Sequence, residues 1–191
     1  WDDKSVRVLN RVMQWTDLGI KYEADQRHAE IIVHSLGLSG ESRTLTVPGE
    51  KRSGQECEDD DTPLDWEEAR DFRRLTARGV YLAQDRGDIN FAVKELAKGM
   101  AKPTHRDLRN LKRLGRYLID KLRYVTTFEY QPGFRKITVW TDSDWAGCQR
   151  TRKLTSASVA MMGGCTIKTW SAIGRRGTTR TGQRSGTAPG L

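Results

Sequence analysis

The second half of this chain is best understood from one stretch of its sequence, Ile137-Thr138-Val139-Trp140-Thr141-Asp142-Ser143-Asp144-Trp145-Ala146-Gly147. Its first four residues are β-branched or aromatic, which is typical of a strand. Because side chains alternate between the two faces of a strand, Asp142 and Asp144 are predicted to lie on the same side near its end. Two carboxylates so placed can share a divalent cation. The alternative is a turn in which both aspartates accept hydrogen bonds from nearby backbone amides.

Acidic residues are absent from the chain after Asp144. Asp144 is the last carboxylate, and the forty-seven residues after it carry eight Lys and Arg, which account for the whole net charge of +8. Hydrolysis of a phosphodiester by two metal ions needs further carboxylates, because both the attacking water and the leaving oxygen are held by cations. We therefore expect a fragment in which a metal-dependent nuclease site is begun and not completed.

Composition sets further limits. Hydrophobic residues make up 36% of the 191 residues, which is low for a globular protein and predicts small cores. No apolar stretch approaches the roughly 20 residues that cross a bilayer. Cys57, Cys148 and Cys165 lack the spacing of a zinc site or a disulfide framework, so a reducing intracellular compartment, cytoplasm or nucleus, is expected. Because the first residue is Trp1 rather than Met, we expect the natural N-terminus to lie upstream.

Residues 1–50 predict a small α+β unit. A strand over 6–15, a turn at 17–19 and a returning strand over 20–23 come first. Asp25 is placed to cap a helix over 26–36, which Gly37 can end in a left-handed conformation.

An acidic segment follows at 51–61, where Glu56, Glu58 and three consecutive aspartates fall within six positions. Adjacent carboxylates repel one another and stay solvated, so this segment is interpreted as a flexible linker. A cation site, the alternative, needs oxygen ligands spaced around a turn.

Residues 62–122 predict a helical region, with helices at about 62–83, 89–100 and 104–121. The first is expected to be capped at Thr62, and Thr104 is placed to cap the third. Five leucines of the third helix share one face at helical spacing and are predicted to be core: Leu108, Leu111, Leu114, Leu118 and Leu122. The opposite face is basic, through Arg106, Arg109, Lys112, Arg113 and Arg116. Such a face can follow a phosphate backbone, since Lys and Arg contacts to phosphates supply much nucleic-acid affinity, or it can simply be solvated.

From Tyr124 the apolar period changes to two, which predicts strands. One hairpin is expected over 124–141 with a turn at Pro132-Gly133, and another over 155–171 with a turn at Gly163-Gly164. Residues 172–191 are rich in Gly, Arg, Thr and Ser without an apolar period, so a disordered basic tail is predicted.

At several places the chain resembles the Pol polyproteins of copia-type retrotransposons. The stretches 137–147, 152–156 and 168–171 are similar to the SDADWAG-like, RKSTSG-like and ISWSS-like segments that open the RNase H domain of that family, with mild departures at Leu154 and Ala157. The stretches 86–93, 102–104 and 111–118 are similar to the TRPDI-FAV, KPT and KRVLRYL segments that join reverse transcriptase to RNase H there.

The resemblance implies how the α+β chain is divided. Residues 1–50 would be a thumb-like C-terminal portion of reverse transcriptase, 51–61 an acidic linker and 62–122 a helical connection. Residues 123–171 would be a truncated RNase H-like domain with a mixed sheet, and 172–191 the disordered tail. Asp142 would be the first metal-binding acid, vestigial here, with Asp144 in a weaker supporting role. The family uses Mg²⁺, which we expect not to be productively bound here.

Another departure concerns the tail. The family places a further acid in an LSS-x-EAE-like helix, whereas the corresponding residues 181–186 here read Thr-Gly-Gln-Arg-Ser-Gly. The tail after Ala172 is therefore interpreted as translation in a shifted frame, with a genuine basic terminus as the alternative.

Three functional hypotheses follow. The first is a Pol fragment without independent catalysis. The second is a non-catalytic module that binds an RNA–DNA hybrid or other nucleic acid through Arg109, Lys112, Arg113 and Arg116. The third is a nuclease whose site is completed by acids of another chain, such as the missing remainder of the polyprotein. No membrane partner is expected.

Overall fold

The computed structural model describes residues 4–49, 61–133, 136–144 and 154–173. These ranges contain four α-helices and two antiparallel sheets, so the predicted mixture of α and β structure is confirmed. Within the same ranges, no helix combines the length and the apolar character that crossing a membrane requires. The predicted acidic linker, apart from Asp61, and the predicted tail beyond Ile173 lie outside the described residues.

The first sheet contains four strands in the order β1-β2-β3-β4, with bounds Ser5–Val8, Arg11–Thr16, Gly19–Glu23 and Val125–Glu129. The prediction of a single strand over 6–15 is therefore wrong, because β1, β2 and the turn between them form a hairpin there. Leu9 and Asn10 form its two-residue turn, with φ of 50° and 63°. Two consecutive positive φ angles match the twist of the flanking strands and close hairpins of this kind.

The partner of β4 corrects another prediction. β4 pairs antiparallel with β3 along its whole length, from Val125 opposite Glu23 to Glu129 opposite Gly19. The hairpin expected over 124–141 is thus wrong. The Ala24 amide donates to the Tyr124 carbonyl at 3.1 Å, which holds the start of β4 beside the end of β3. A Cβ at position 19 would collide with the Phe128 carbonyl oxygen, so glycine is required where the two strands approach.

The helices are α1 to α4, with bounds Gln26–Ser35, Trp66–Leu82, Asn90–Gly99 and His105–Ile119. Asp25 caps α1 as predicted, and Gly37 follows with φ of 65°. The cap of α2 is Asp65, which accepts from the Glu68 amide at 2.8 Å, and not Thr62 as predicted. Thr104 and Asp107 form a reciprocal capping box at the start of α4.

The core lies among the four helices. Leu111, Leu114 and Leu118 of α4 are fully buried, and Leu108 and Leu122 pack against the same cluster while partly buried. The predicted leucine face is confirmed. It fixes which side of α4 turns outward.

The second sheet contains three strands in the order β5-β6-β7, with bounds Ile137–Asp144, Thr155–Met162 and Cys165–Ile173. The β6–β7 hairpin is confirmed, and its turn residue Gly163 has φ of 59°. These strands are all antiparallel, so the mixed sheet expected here is not found in the described residues. β7 continues through Ile173, two residues into the stretch predicted as tail.

Candidate functional site

Asp142 and Asp144 lie in the last part of β5, not beyond its end. Asp142 is opposite Ala157 and Asp144 opposite Thr155 on β6, so both belong to the same face of the sheet. The Asp142 side chain is exposed. This continuous pairing does not support the alternative of a turn with both aspartates capping local amides.

The described residues do not fit a two-metal centre. They contain no group of three or more His, Cys, Asp or Glu side chains that could hold a metal ion. The metal-binding and vestigial catalytic roles of the two aspartates stay predictions, and no reaction step is assigned to them.

The basic side of α4 lies opposite its buried leucines. Arg109, Lys112 and Arg116 are exposed, whereas Arg113 is half-buried. Arg106, near the first turn, pairs with Asp61 at 3.4 Å. The helix carries five cations against a single carboxylate, and that carboxylate belongs to the capping box. Arg109, Lys112 and Arg116 span about 10 Å along the helix axis at 1.5 Å per residue. Their helical spacing also places these three of the four predicted contact residues on one side of α4.

A buried polar cluster surrounds Arg86, in the break between α2 and α3. The Arg86 side chain is fully buried, and its guanidinium donates to Asp88 at 2.6 Å and to the Lys121 carbonyl just after α4. It also lies over the Tyr124 ring, 4.9 Å from the centroid. The Tyr117 hydroxyl donates to Asp88 at 2.8 Å. Burial, reinforced by that hydrogen bond, raises the pKa of Tyr117 to about 12.

The preceding residue, Asp85, joins the helices to the first sheet. Arg11 of β2 and the Tyr22 hydroxyl of β3 each donate to Asp85 at 2.7 Å. The hydrogen bond to Asp85 raises the pKa of Arg11. Burial, with the same carboxylate, raises the pKa of Tyr22 to about 12. In the sequence, the stretch 85–88 lies between two predicted helices, and a run of Asp, Arg and Gly carries no sign of burial.

A histidine lies close to this contact. The His28 ring is 4.5 Å from the Tyr81 ring, and its Nε2 is 3.5 Å from an Asp25 carboxylate oxygen. The Arg78 guanidinium approaches Nδ1 at 3.5 Å. Burial lowers the pKa of His28, which outweighs the attraction of Asp25. Protonation of the His28 ring is therefore expected to destabilise the folded state.

The second sheet meets the helices along β7. A Cβ at Gly87 would lie 2.6 Å from the Thr169 hydroxyl oxygen, so glycine permits the approach. The side-chain amide of Asn90 donates to the Thr169 carbonyl at 3.2 Å, and the Lys94 ammonium donates to the Thr155 hydroxyl at 3.3 Å. Beside these contacts lies an open cleft of about 560 Å³ whose lining includes Val80, Gln84, Val93, Lys168 and Trp170. The stretch 85–90 thus connects both sheets to the helical core.

Two known proteins are similar to part of this chain. The uncharacterized mitochondrial protein AtMg00810 of Arabidopsis thaliana is 34% identical over 102 residues, covering 53% of this chain and 42% of that protein. The retrovirus-related Pol polyprotein from transposon RE1 of Arabidopsis thaliana is 30% identical over 110 residues. This second match covers 58% of the chain and 7% of the polyprotein. The resemblance to copia-type Pol polyproteins is confirmed.

The chain thus spans less than half the length of either relative. No family model matches it, and no solved structure matches it. The matches support a transposon-derived origin.

Proposed function

We propose that this chain is the junction between reverse transcriptase and RNase H of a copia-type Pol polyprotein, acting without independent catalysis. The observation that carries the proposal is the similarity to the transposon Pol polyprotein over 110 residues. In this assignment residues 1–50, which contain β1 to β3 and α1, are thumb-like, and residues 62–122, with α2 to α4, form the connection. Residues 123–171 begin an RNase H-like domain, to which β5 to β7 contribute the first strands of its sheet.

The proposed activity of this junction is binding to nucleic acid through α4. Arg109, Lys112 and Arg116 are exposed on one side of a helix whose other side is locked into the core. A rigid helix presents its cations at fixed spacing, which reduces the ordering cost when they meet phosphates. An RNA–DNA hybrid, read by its phosphates rather than its bases, is the proposed partner.

Absence of catalysis is the other half of the proposal. Asp144 is the last acid of the sequence, and the described residues hold no cluster of three candidate metal ligands. Phosphodiester hydrolysis by two metal ions needs more oxygen ligands than Asp142 and Asp144 provide.

Binding is tested by fluorescence anisotropy with a labelled RNA–DNA hybrid. Reversing Arg109, Lys112 and Arg116 to Glu is expected to abolish binding, because three phosphate contacts become three repulsions. The wild-type slope of log K against log salt is expected to be about −3, since each of three neutralised phosphates of a duplex contributes about −0.9. Adding Arg113→Glu tests the half-buried fourth residue.

A matched control carries the same charge change elsewhere: Arg7 and Lys21 of the first sheet and Lys4 just before it are exposed and can be reversed together. Equal loss in both triple variants would show that net charge alone drives binding and would overturn the assignment to α4. Cleavage is assayed separately with Mg²⁺ and a hybrid labelled in its RNA strand. Cleavage that disappears in Asp142→Asn would refute the non-catalytic half and favour a nuclease completed by acids of another chain.

A further inference from the structure

Among the described residues, one edge of β5 is open. In the part of the chain that the structure describes, β5 pairs with β6 on one side and with no strand on the other. It is eight residues long, contains no proline, and keeps an unbroken register against β6 from Ile137 to Asp144. Such an edge presents a row of backbone donors and acceptors that a further strand can use.

The side chains of this edge are apolar in the middle and charged at the ends. Ile137, Val139 and Trp140 are 62%, 51% and 65% exposed. Natural edge strands are usually protected by a charge or a bulge along their length. Here Lys136 stands just before the strand and Asp142 near its far end, and both are exposed. The centre of the edge is thus left without such protection.

This charge pattern selects an orientation. Around a two-fold axis at Val139, an antiparallel copy of β5 places its Asp142 opposite Lys136, and the symmetry repeats this pair at the other end. Thr138 then faces Trp140 of the second copy, and the two Val139 residues meet on the axis. A parallel copy in register would instead set lysine against lysine and aspartate against aspartate, which is destabilising.

We propose that the open edge of β5 pairs antiparallel with the same edge of a second copy of this chain, with Val139 on the two-fold axis. The dimer extends each three-stranded sheet into a six-stranded one and covers Trp140 and Val139. Isologous pairing of this kind closes on itself, so it forms dimers and not filaments. Nucleic acid does not fit the same edge, because Asp142 repels phosphate and the middle of the strand carries no cation.

The test is a charge exchange followed by sedimentation equilibrium of the full chain across low to high micromolar concentrations. Lys136→Glu places two carboxylates opposite each other at both ends, and Asp142→Lys places two ammonium groups there. Each single variant is expected to weaken dimerisation about tenfold or more. The double variant restores opposite charges in every pair, so its dissociation constant is expected to return close to the wild-type value.

Lys168→Glu is the matched control for Lys136→Glu, because Lys168 is exposed in β7 of the same sheet and both substitutions lower the net charge by the same amount. A wild-type chain that stays monomeric, or a dimer indifferent to the single reversals, would overturn the proposal. Failure of the double variant to recover would equally reject this register.

Hydrogen exchange of the unmodified chain gives a readout that needs no variant. Amides of β5 are expected to gain protection as the protein concentration rises, while amides of β3 stay unchanged. Protection of β5 that is independent of concentration would also reject the dimer.

Discussion

Replacing Arg86 by alanine is expected to destabilise the fold strongly. The side chain is fully buried, and it holds Asp88, the Lys121 carbonyl and the Tyr124 ring at once. Removing one partner of a buried ion pair costs about 3–5 kcal/mol, because the other charge stays behind without compensation. Asp88 retains the Tyr117 hydroxyl and keeps 20% of its side chain accessible, so a value near the lower end, about 3 kcal/mol, is expected.

The assay is urea unfolding followed by far-ultraviolet circular dichroism, comparing midpoints at a common slope. Arg74→Ala is the matched control, because the Arg74–Asp71 pair is separated by 3.3 Å and its two side chains are 46% and 52% exposed. An exposed pair contributes at most about 1 kcal/mol. Near pH 7 the Arg86 variant should therefore lose several times more free energy of unfolding than the Arg74 variant.

An Arg86→Met variant separates packing from charge, since methionine fills much of the same space without hydrogen bonding. It is expected to recover part of the loss, though not the bonds to Asp88 and Lys121. If Arg86→Ala and Arg74→Ala lower the free energy of unfolding equally, the stretch 85–88 does not join the elements as the structure indicates.

Three further predictions concern protons and local opening. Since the pKa of Tyr117 is raised to about 12, the folded state keeps a proton that the unfolded state loses near pH 10. The urea midpoint of unfolding should therefore fall between pH 10 and 12, and Tyr117→Phe should reduce that fall. Since the pKa of His28 is lowered, stability should be lost as pH falls below about 6.5, where the unfolded state gains the proton first; a His28→Gln variant with an unchanged acid slope would contradict this. In hydrogen exchange, the β4 amides that donate to β3 should be protected like the β3 amides that donate to β4; β4 amides that exchange as fast as those of an unpaired segment would argue against the β3–β4 pairing.

The candidate site was only partly predictable. The basic side of α4 follows from helical spacing, because the leucines that must be buried leave the cations on the other side. Asp142 and Asp144 fall on one face because strand periodicity is local. Burial of Arg86 could not be read in the same way, since an arginine beside glycine in a helix break is usually solvated. Its burial depends on Lys121 and Tyr124, which are distant in sequence.

The features that could be predicted from the sequence are local: the starts of α1 and α4, whose caps are Asp25 and Thr104, the leucine face, and the β6–β7 hairpin around Gly163. Each depends on residues a few positions apart, so spacing and capping chemistry suffice. The tertiary structure alone decided that β4 joins β3, where Arg123 meets Glu23 across a separation of 100 residues. Strand pairing is chosen by which backbone edges meet once the helices have packed, and no local pattern encodes that choice.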